Sequence, residues 1–251
     1  MRTVHILASC RRPELIDMTT LVFKTIRIGF PTTPIYVHLN RMSLQNEVTV
    51  RDRAKDINAG IYTPRIGSAQ RHDRWLADLI ATHSDEFVVC DTDMVFHESV
   101  EDWQFDGPMA GALEPRHRNP TTNLDHMERL HTSLLFLKPE KIRDRYHQWS
   151  KGLPPVVFPE LDDLVLQHII PGPIPTLFAD TAALLGHAVG MEPFTHDQLN
   201  AFSHLHCGTW RDVAGLQFPA LHNLHMKAVA DPQSVRGIWK TFDEWYHDNA
   251  A

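Results

Sequence analysis

Val4-His5-Ile6-Leu7-Ala8 is the first apolar run of the chain, and it ends in Ser9-Cys10-Arg11-Arg12-Pro13. An apolar run closed by a turn predicts a buried strand. Pro13 suits the first position of a helix. Leu15, Ile16, Met18, Leu21, Val22 and Ile26 give that helix an apolar face, and Gly29 and Pro31 close it. Ile35 to Leu39 predicts a second strand, closing on Asn40-Arg41. Strand, helix, strand in that order implies a parallel sheet, because parallel neighbours need a crossover.

Residues 41–60 are polar and poorly periodic, and Ile61-Tyr62 predicts a short strand. The stretch 71–82 predicts a helix with Trp75, Leu76, Leu79 and Ile80 on one side. Phe87-Val88-Val89-Cys90 then predicts a core strand running to Asp91. Further strands are expected at Met109–Leu113 and Leu134–Leu137, with a polar, lid-like loop from His117 to Leu124 between them. Pro139 starts a helix through Trp149, Gly152-Leu153-Pro154-Pro155 reads as a linker, and Leu161 to Ile170 predicts a helix with acids at its start. A last helix is expected from Ser234 to Trp245. There is no internal repeat and no low-complexity tract. The pattern as a whole predicts an α/β fold, a mostly parallel central sheet flanked by helices, as one domain over 1–251.

Composition narrows the function classes. The chain has 251 residues, 43% hydrophobic and 22% charged, which supports a globular core. A net charge of −7 argues against general binding to nucleic acid or anionic membranes, though not against a modified-base acceptor. The three cysteines are widely spaced with no Cys-x-x-Cys, which suits reduced thiols. The first apolar run is too short for a secretion signal, and no stretch is apolar enough to span a bilayer. A cytoplasmic location is the expectation.

Candidate chemistry begins where the core strand meets Asp91-Thr92-Asp93. Carboxylates are costly to bury without a partner. On an extended strand end, residues two apart share a side, so both could serve one cation. Mg²⁺ and Mn²⁺ take oxygen ligands and keep positions open for phosphate oxygens. A plain turn after a strand is the structural alternative, since Asp and Thr are ordinary there. Glu160-Leu161-Asp162-Asp163 puts two acids in a first helical turn, which the helix dipole alone would favour. His204-Leu205-His206 places two imidazoles on one side of an extended segment, and His222 and His225 have helical spacing.

The order of these elements resembles a GT-A glycosyltransferase of the nucleotide-diphospho-sugar transferase superfamily. The resemblance rests on Ser9-Cys10-Arg11-Arg12 after the first strand, Asp91-Thr92-Asp93 mid-chain, His131-Thr132-Ser133-Leu134 as an acceptor-side strand, an acidic helix start, and a late His. Only the Asp-x-Asp segment matches closely. The resemblance implies a nucleotide-binding half over about 1–100 and an acceptor half over about 101–251. It implies Ser9, Arg11, Asn40 and His72 at the nucleotide, with Asp91 reaching the ribose or the metal. It implies Mn²⁺ or Mg²⁺ held by Asp91, Asp93 and a late His, either His206 or His225. It further implies a UDP-sugar as donor and Asp163, with Asp162 beside it, as the base that deprotonates an acceptor hydroxyl. The family usually has Glu-Asp at that helix start, so Asp162-Asp163 departs from it by one methylene.

Two other readings stand beside this one. A zinc hydrolase could use His204, His206, His222 and His225. A carbohydrate- or nucleotide-binding protein could keep the fold without turnover. A nucleotidyltransferase is disfavoured, because Ser9-Cys10-Arg11-Arg12-Pro13 contains no glycine to cradle phosphate.

Overall fold

A computed structural model describes residues 1–10, 15–40, 42–63, 70–118, 124–151, 160–170, 177–205 and 219–238. In chain order the strands are β1 (Thr3–Ser9), β2 (Ile35–Asn40), β3 (Gly60–Tyr62), β4 (Phe87–Cys90), β5 (Met94–Phe96), β6 (Met109–Glu114) and β7 (His117–Arg118). They continue as β8 (Asp125–His126), β9 (Arg129–Leu137), β10 (His168–Ile170), β11 (Leu177–Ala179), β12 (Glu192–Pro193) and β13 (Phe202–His204). The chain divides into two compact units. One comprises 1–2, 70–89 and 104–194; the other comprises 3–69, 90–103 and 195–251.

The second unit opens as the alternation predicted. β1 and β2 are parallel with Val4 opposite Ile35 and Ser9 opposite Asn40, and β3 joins β2 in parallel. Val4, Ile6, Ala8, Ile35, Val37 and Leu39 are buried along one face. The expected single helix after β1 is instead three short pieces, Ile16–Thr19, a 3₁₀ turn at Leu21–Lys24, and Ile26–Gly29. The cause is a set of threonines. Thr19 and Thr20 turn their hydroxyls back onto the carbonyls of Leu15 and Ile16 at 3.1 and 2.8 Å, which competes with the helix ladder and bends it.

Residues 44–56 form a helix where periodicity gave none. Ser43 caps it by accepting the Asn46 amide at 3.2 Å. Its buried positions are Asn46, Val50 and Ala54, four residues apart. One is polar and one is small, so the apolar stripe that marks a helix in sequence is missing. Asn46 is buried because its Nδ2 donates to the Cys10 carbonyl at 3.1 Å. At the other end of this unit, Pro232–Val235 is one 3₁₀ turn rather than the start of a long helix. Gly237 follows at φ +77°, a left-handed conformation that stops helical propagation there. Residues 239–245 of that expected helix lie outside the described residues.

In the first unit β12 and β6 are parallel, and β6 and β9 are antiparallel with a bulge between Gly111 and Leu113. Across the two units' parts of the main sheet, the pairings β1–β2, β2–β3 and β12–β6 are parallel and β6–β9 is not, so the α/β, mostly parallel architecture is as expected. A smaller sheet has the order β10-β11-β8-β7. It accounts for two differences from expectation. His117-Arg118, expected in a lid-like loop, pairs with Asp125-His126. The helix expected to reach Ile170 ends at Val165, and His168–Ile170 pairs with β11. Ile170 precedes Pro171, whose ring excludes the helical conformation from the residue before it.

Candidate metal centre

β4 is buried from end to end, Phe87, Val88, Val89 and Cys90 each at 2% exposure or less. It delivers the chain into Asp91-Thr92-Asp93, and β5 resumes at Met94. The three residues form a turn, not an extended strand end. Asp91 is half-buried, whereas Thr92 is 3% and Asp93 0% exposed. Asp93 therefore points inward and Asp91 stays in reach of solvent.

The bent helical segment after β1 braces this turn. Val22 donates its amide to the Thr92 carbonyl at 3.1 Å. The Phe96 amide donates to Thr25 Oγ1 at 3.0 Å. A straight helix over 15–29 would spend Val22 N–H within its own ladder. On the other side β13 pairs antiparallel with β5, Phe202 facing Phe96 and His204 facing Met94. The Leu205 amide donates to the Asp93 carbonyl at 3.3 Å, and the His204 amide donates to the Ile238 carbonyl at 3.2 Å. Leu21, Val95, Leu205, Ala228 and Val235 pack as one buried cluster beneath.

This pairing places His204, 2% exposed, with Nε2 at 3.4 Å from Asp93 Oδ1. A ligand atom of Asp91 lies within 4.8 Å of one of His204. Asp93 and Asp91 thus each approach the His204 imidazole. The local charge is felt by Cys90, whose thiol is pushed well above its usual pKa, first by burial and then by Asp91 and Asp93. The donor set fits a divalent cation. Carboxylate oxygens suit Mg²⁺ and Mn²⁺, and an imidazole shifts preference toward the transition metal.

In the sequence His204 was named beside His206 and in the zinc-hydrolase set, and not as the late His of the metal site. Strand pairing selected it, and pairing is not written in that pair. His206 lies outside the described residues, as does Arg11. His225 is fully buried in the helix Pro219–Ala230. Ser9 and Asn40 are register partners at the carboxyl ends of β1 and β2, where open α/β sheets bind ligands. His72, Asp162 and Asp163 belong to the other unit. His72 opens the helix His72–Thr82, and its ring lies 5.6 Å from that of Trp75. Asp162 and Asp163 are half-buried in the helix Leu161–Val165, and the Asp163 carbonyl is 2.6 Å from His168 Nε2. Asp73 carries no signal in the amino-acid pattern. This buried carboxylate pairs with Arg71 at 2.5 Å and accepts the Gln167 amide at 3.1 Å.

No family model and no curated protein matches the chain. Solved structures do. One is the bifunctional glycosyltransferase WbbM in its apo form, at 10% identity and TM-score 0.46 over 76% of this chain and 38% of that one. Another is the apo form of the glycosyltransferase GlyE of Streptococcus pneumoniae TIGR4, at 9% and 0.41 over 90% and 51%. A third is the galactosyltransferase LgtC in complex with donor and acceptor sugar analogues, at 13% and 0.45 over 98% and 99%. The chain spans about 38% of WbbM and 51% of GlyE. At these identities and scores the likenesses concern general architecture and not what the site does. Among the described residues, no helix is long and apolar enough to cross a membrane.

Proposed function

We propose that this chain is a metal-dependent glycosyltransferase that moves a sugar from a nucleotide-diphosphate donor, a UDP-sugar, to an acceptor hydroxyl. The observation that carries the reading is the approach of both Asp91 and Asp93 to His204 just past the end of a fully buried strand. A buried carboxylate beside an imidazole is expensive to maintain for packing alone. Asp91, Asp93 and His204 would hold Mn²⁺ or Mg²⁺. The bound ion would supply charge neutralisation for the diphosphate leaving group.

The residues of the chain divide the remaining work. Asp93 and His204, sealed from solvent, orient one another. Asp91, half-buried, is open to the ribose side of the donor. Ser9 and Asn40, adjacent across the β1–β2 ladder, bind the nucleoside. Arg11 meets a phosphate, because a guanidinium donates in a fixed fork. His72 contacts the nucleotide from the start of its helix. Asp163 takes the proton of the acceptor hydroxyl, with Asp162 beside it in the same helical turn.

The test is thermal-shift screening of the purified chain against nucleotide sugars, with and without Mn²⁺. Stabilisation by one nucleotide sugar only when metal is present supports the reading. Tightly bound zinc on purification, with no nucleotide-sugar response, overturns it in favour of the hydrolase.

A further inference from the structure

The helix Leu44–Asp56 starts just past the end of β2 and buries an amide beside its apolar residues. Asn46 is 2% exposed. Its backbone amide donates to Ser43 Oγ at 3.2 Å. Its Nδ2 donates to the Cys10 carbonyl at 3.1 Å and lies 3.3 Å from Cys10 Sγ. Burying an amide costs free energy unless its hydrogen bonds are made. The bonds to Cys10 meet that condition, and an aliphatic side chain at this position could not make them.

Cys10 stands where β1 leaves its ladder. Ser9 and Asn40 form the last register pair of β1 and β2, and the register stops there. Just past that pair stand Cys10 on one strand and, through the start of the helix, Asn46 on the other. The Asn46 side chain therefore makes a second link between the carboxyl ends of β1 and β2, beyond the ladder. Cys10 is also packed in a buried cluster with Leu15 and Met18. Val50 and Ala54, the helix's other buried residues, are apolar and can only pack. Asn46 fixes a carbonyl in direction as well as distance, because hydrogen bonds are directional. All these residues lie in the compact unit that also holds Asp91, Asp93 and His204.

We propose that Asn46 is a positioning residue for the nucleotide: it holds the end of β1 in place beside the end of β2, so that Ser9 and Asn40 meet the nucleoside as a pair. Asn46 acts through Cys10 and does not itself touch the nucleotide. The role rests on the nucleotide-sugar reading above; the link between the strand ends does not. A site ordered before binding pays less to order itself when the ligand arrives. Loss of the link should therefore weaken the nucleotide. It should spare the metal, because β4, β5 and β13 place Asp91, Asp93 and His204.

The experiment titrates the whole chain by calorimetry with Mn²⁺ alone, and with UDP or GDP in the presence of Mn²⁺. Asn46→Ala should bind the preferred nucleotide at least tenfold more weakly and Mn²⁺ within threefold of wild type. Val50→Ala, at a fully buried position of the same helix, controls for lost packing and should leave both affinities within threefold. Asn46→Ser, read in the same way, is the second variant if Asn46→Ala does not fold. Iodoacetamide labelling of Cys10, followed by peptide mass spectrometry without nucleotide, reads the link directly. It should run at least fivefold faster in Asn46→Ala than in wild type or Val50→Ala. Unchanged nucleotide affinity, an equal loss in Val50→Ala, a parallel loss of Mn²⁺ affinity, or Cys10 labelling at the wild-type rate overturns the proposal and leaves the transferase reading standing. A wild type that binds neither UDP nor GDP with Mn²⁺ sinks the transferase reading and this role with it. Faster Cys10 labelling in Asn46→Ala would then mark Asn46 as a structural link only.

Discussion

His204 Nε2 lies 3.4 Å from Asp93 Oδ1, with the two side chains 2% and 0% exposed. The two residues are 111 positions apart, and a three-residue antiparallel pairing, Phe202–His204 on Met94–Phe96, joins them. His204→Gln keeps size and a hydrogen-bonding end but removes the imidazole. Mn²⁺ affinity is expected to fall by roughly 100-fold or more, since even partners outside the ligand shell are worth about 10–100-fold. Asp93→Asn is expected to do the same. Calorimetric titration with Mn²⁺ checks both, and an affinity within threefold of wild type would remove His204 from the site.

The β5 side of the site depends on a glycine. A Cβ at Gly29 would overlap the ring of Phe96, which also packs edge-on to Phe30 at 5.5 Å. Gly29→Ala should cost about 1–3 kcal/mol as an overpacked core. It should also weaken Mn²⁺ binding, because Phe96 ends β5, the short strand that starts at the residue after Asp93. Urea denaturation together with the metal titration reads the two effects; a stability loss with unchanged metal affinity would show that β5 tolerates displacement of its far end.

Arg129 holds two carboxylates, Glu114 at 2.8 Å and Asp180 at 2.9 Å, with little solvent around any of the three. Burial alone would raise the Asp180 pKa. Arg129, with the Thr181 amide and Gln167, outweighs it and holds the group below its usual value. Arg129→Leu strands two negative charges and should cost about 3–5 kcal/mol. Adding Glu114→Gln to it should recover part of the loss, and a double-mutant cycle in denaturant measures the recovery.

Acid should destabilise the protein in two steps. His97 has its pKa lowered by burial, which outweighs the opposing side-chain interaction with Gln233, and His126 is lowered by burial and by His117. Ser203 donates its hydroxyl to the Val235 carbonyl at 2.7 Å, so His97 Nε2–H must donate to Ser203 Oγ at 2.9 Å. For both imidazoles the unfolded chain takes up the proton first, so stability falls as pH drops below the ordinary value of 6.5. The second step belongs to depressed carboxyls. Partial burial would raise Glu101, but hydrogen bonds from the hydroxyls and amides of Thr32 and Thr33 win and lower it. Its contribution is present above the ordinary 4.5 and is lost as pH falls through the lower folded value. Melting temperature against pH is the measurement. Glu101→Gln should flatten the lower step and leave the upper one, and a single step would contradict the assignment.

The strand–helix–strand opening, the buried strand into Asp91, and the parallel architecture were legible in the sequence because each leaves a continuous apolar run or a 3.6-residue stripe. The Asp-x-Asp pair was legible because charge ending such a run has a cost. Helix 44–56 was not, since it buries an asparagine and an alanine where a stripe of large apolar residues would have marked it. The broken helix after β1 was not, since Thr19 and Thr20 bond back to carbonyls that an unbroken helix would also offer, and the bracing by Thr92 and Phe96 comes from a distant segment. His204 was chosen over other histidines by strand pairing alone. Local patterning, which acts between near neighbours, set the elements and one half of the site. The other half, and the small sheet β10-β11-β8-β7, arose only when distant strands paired, because the backbone groups that form a ladder are the same in nearly every residue and so leave no mark of the partner in the side-chain pattern.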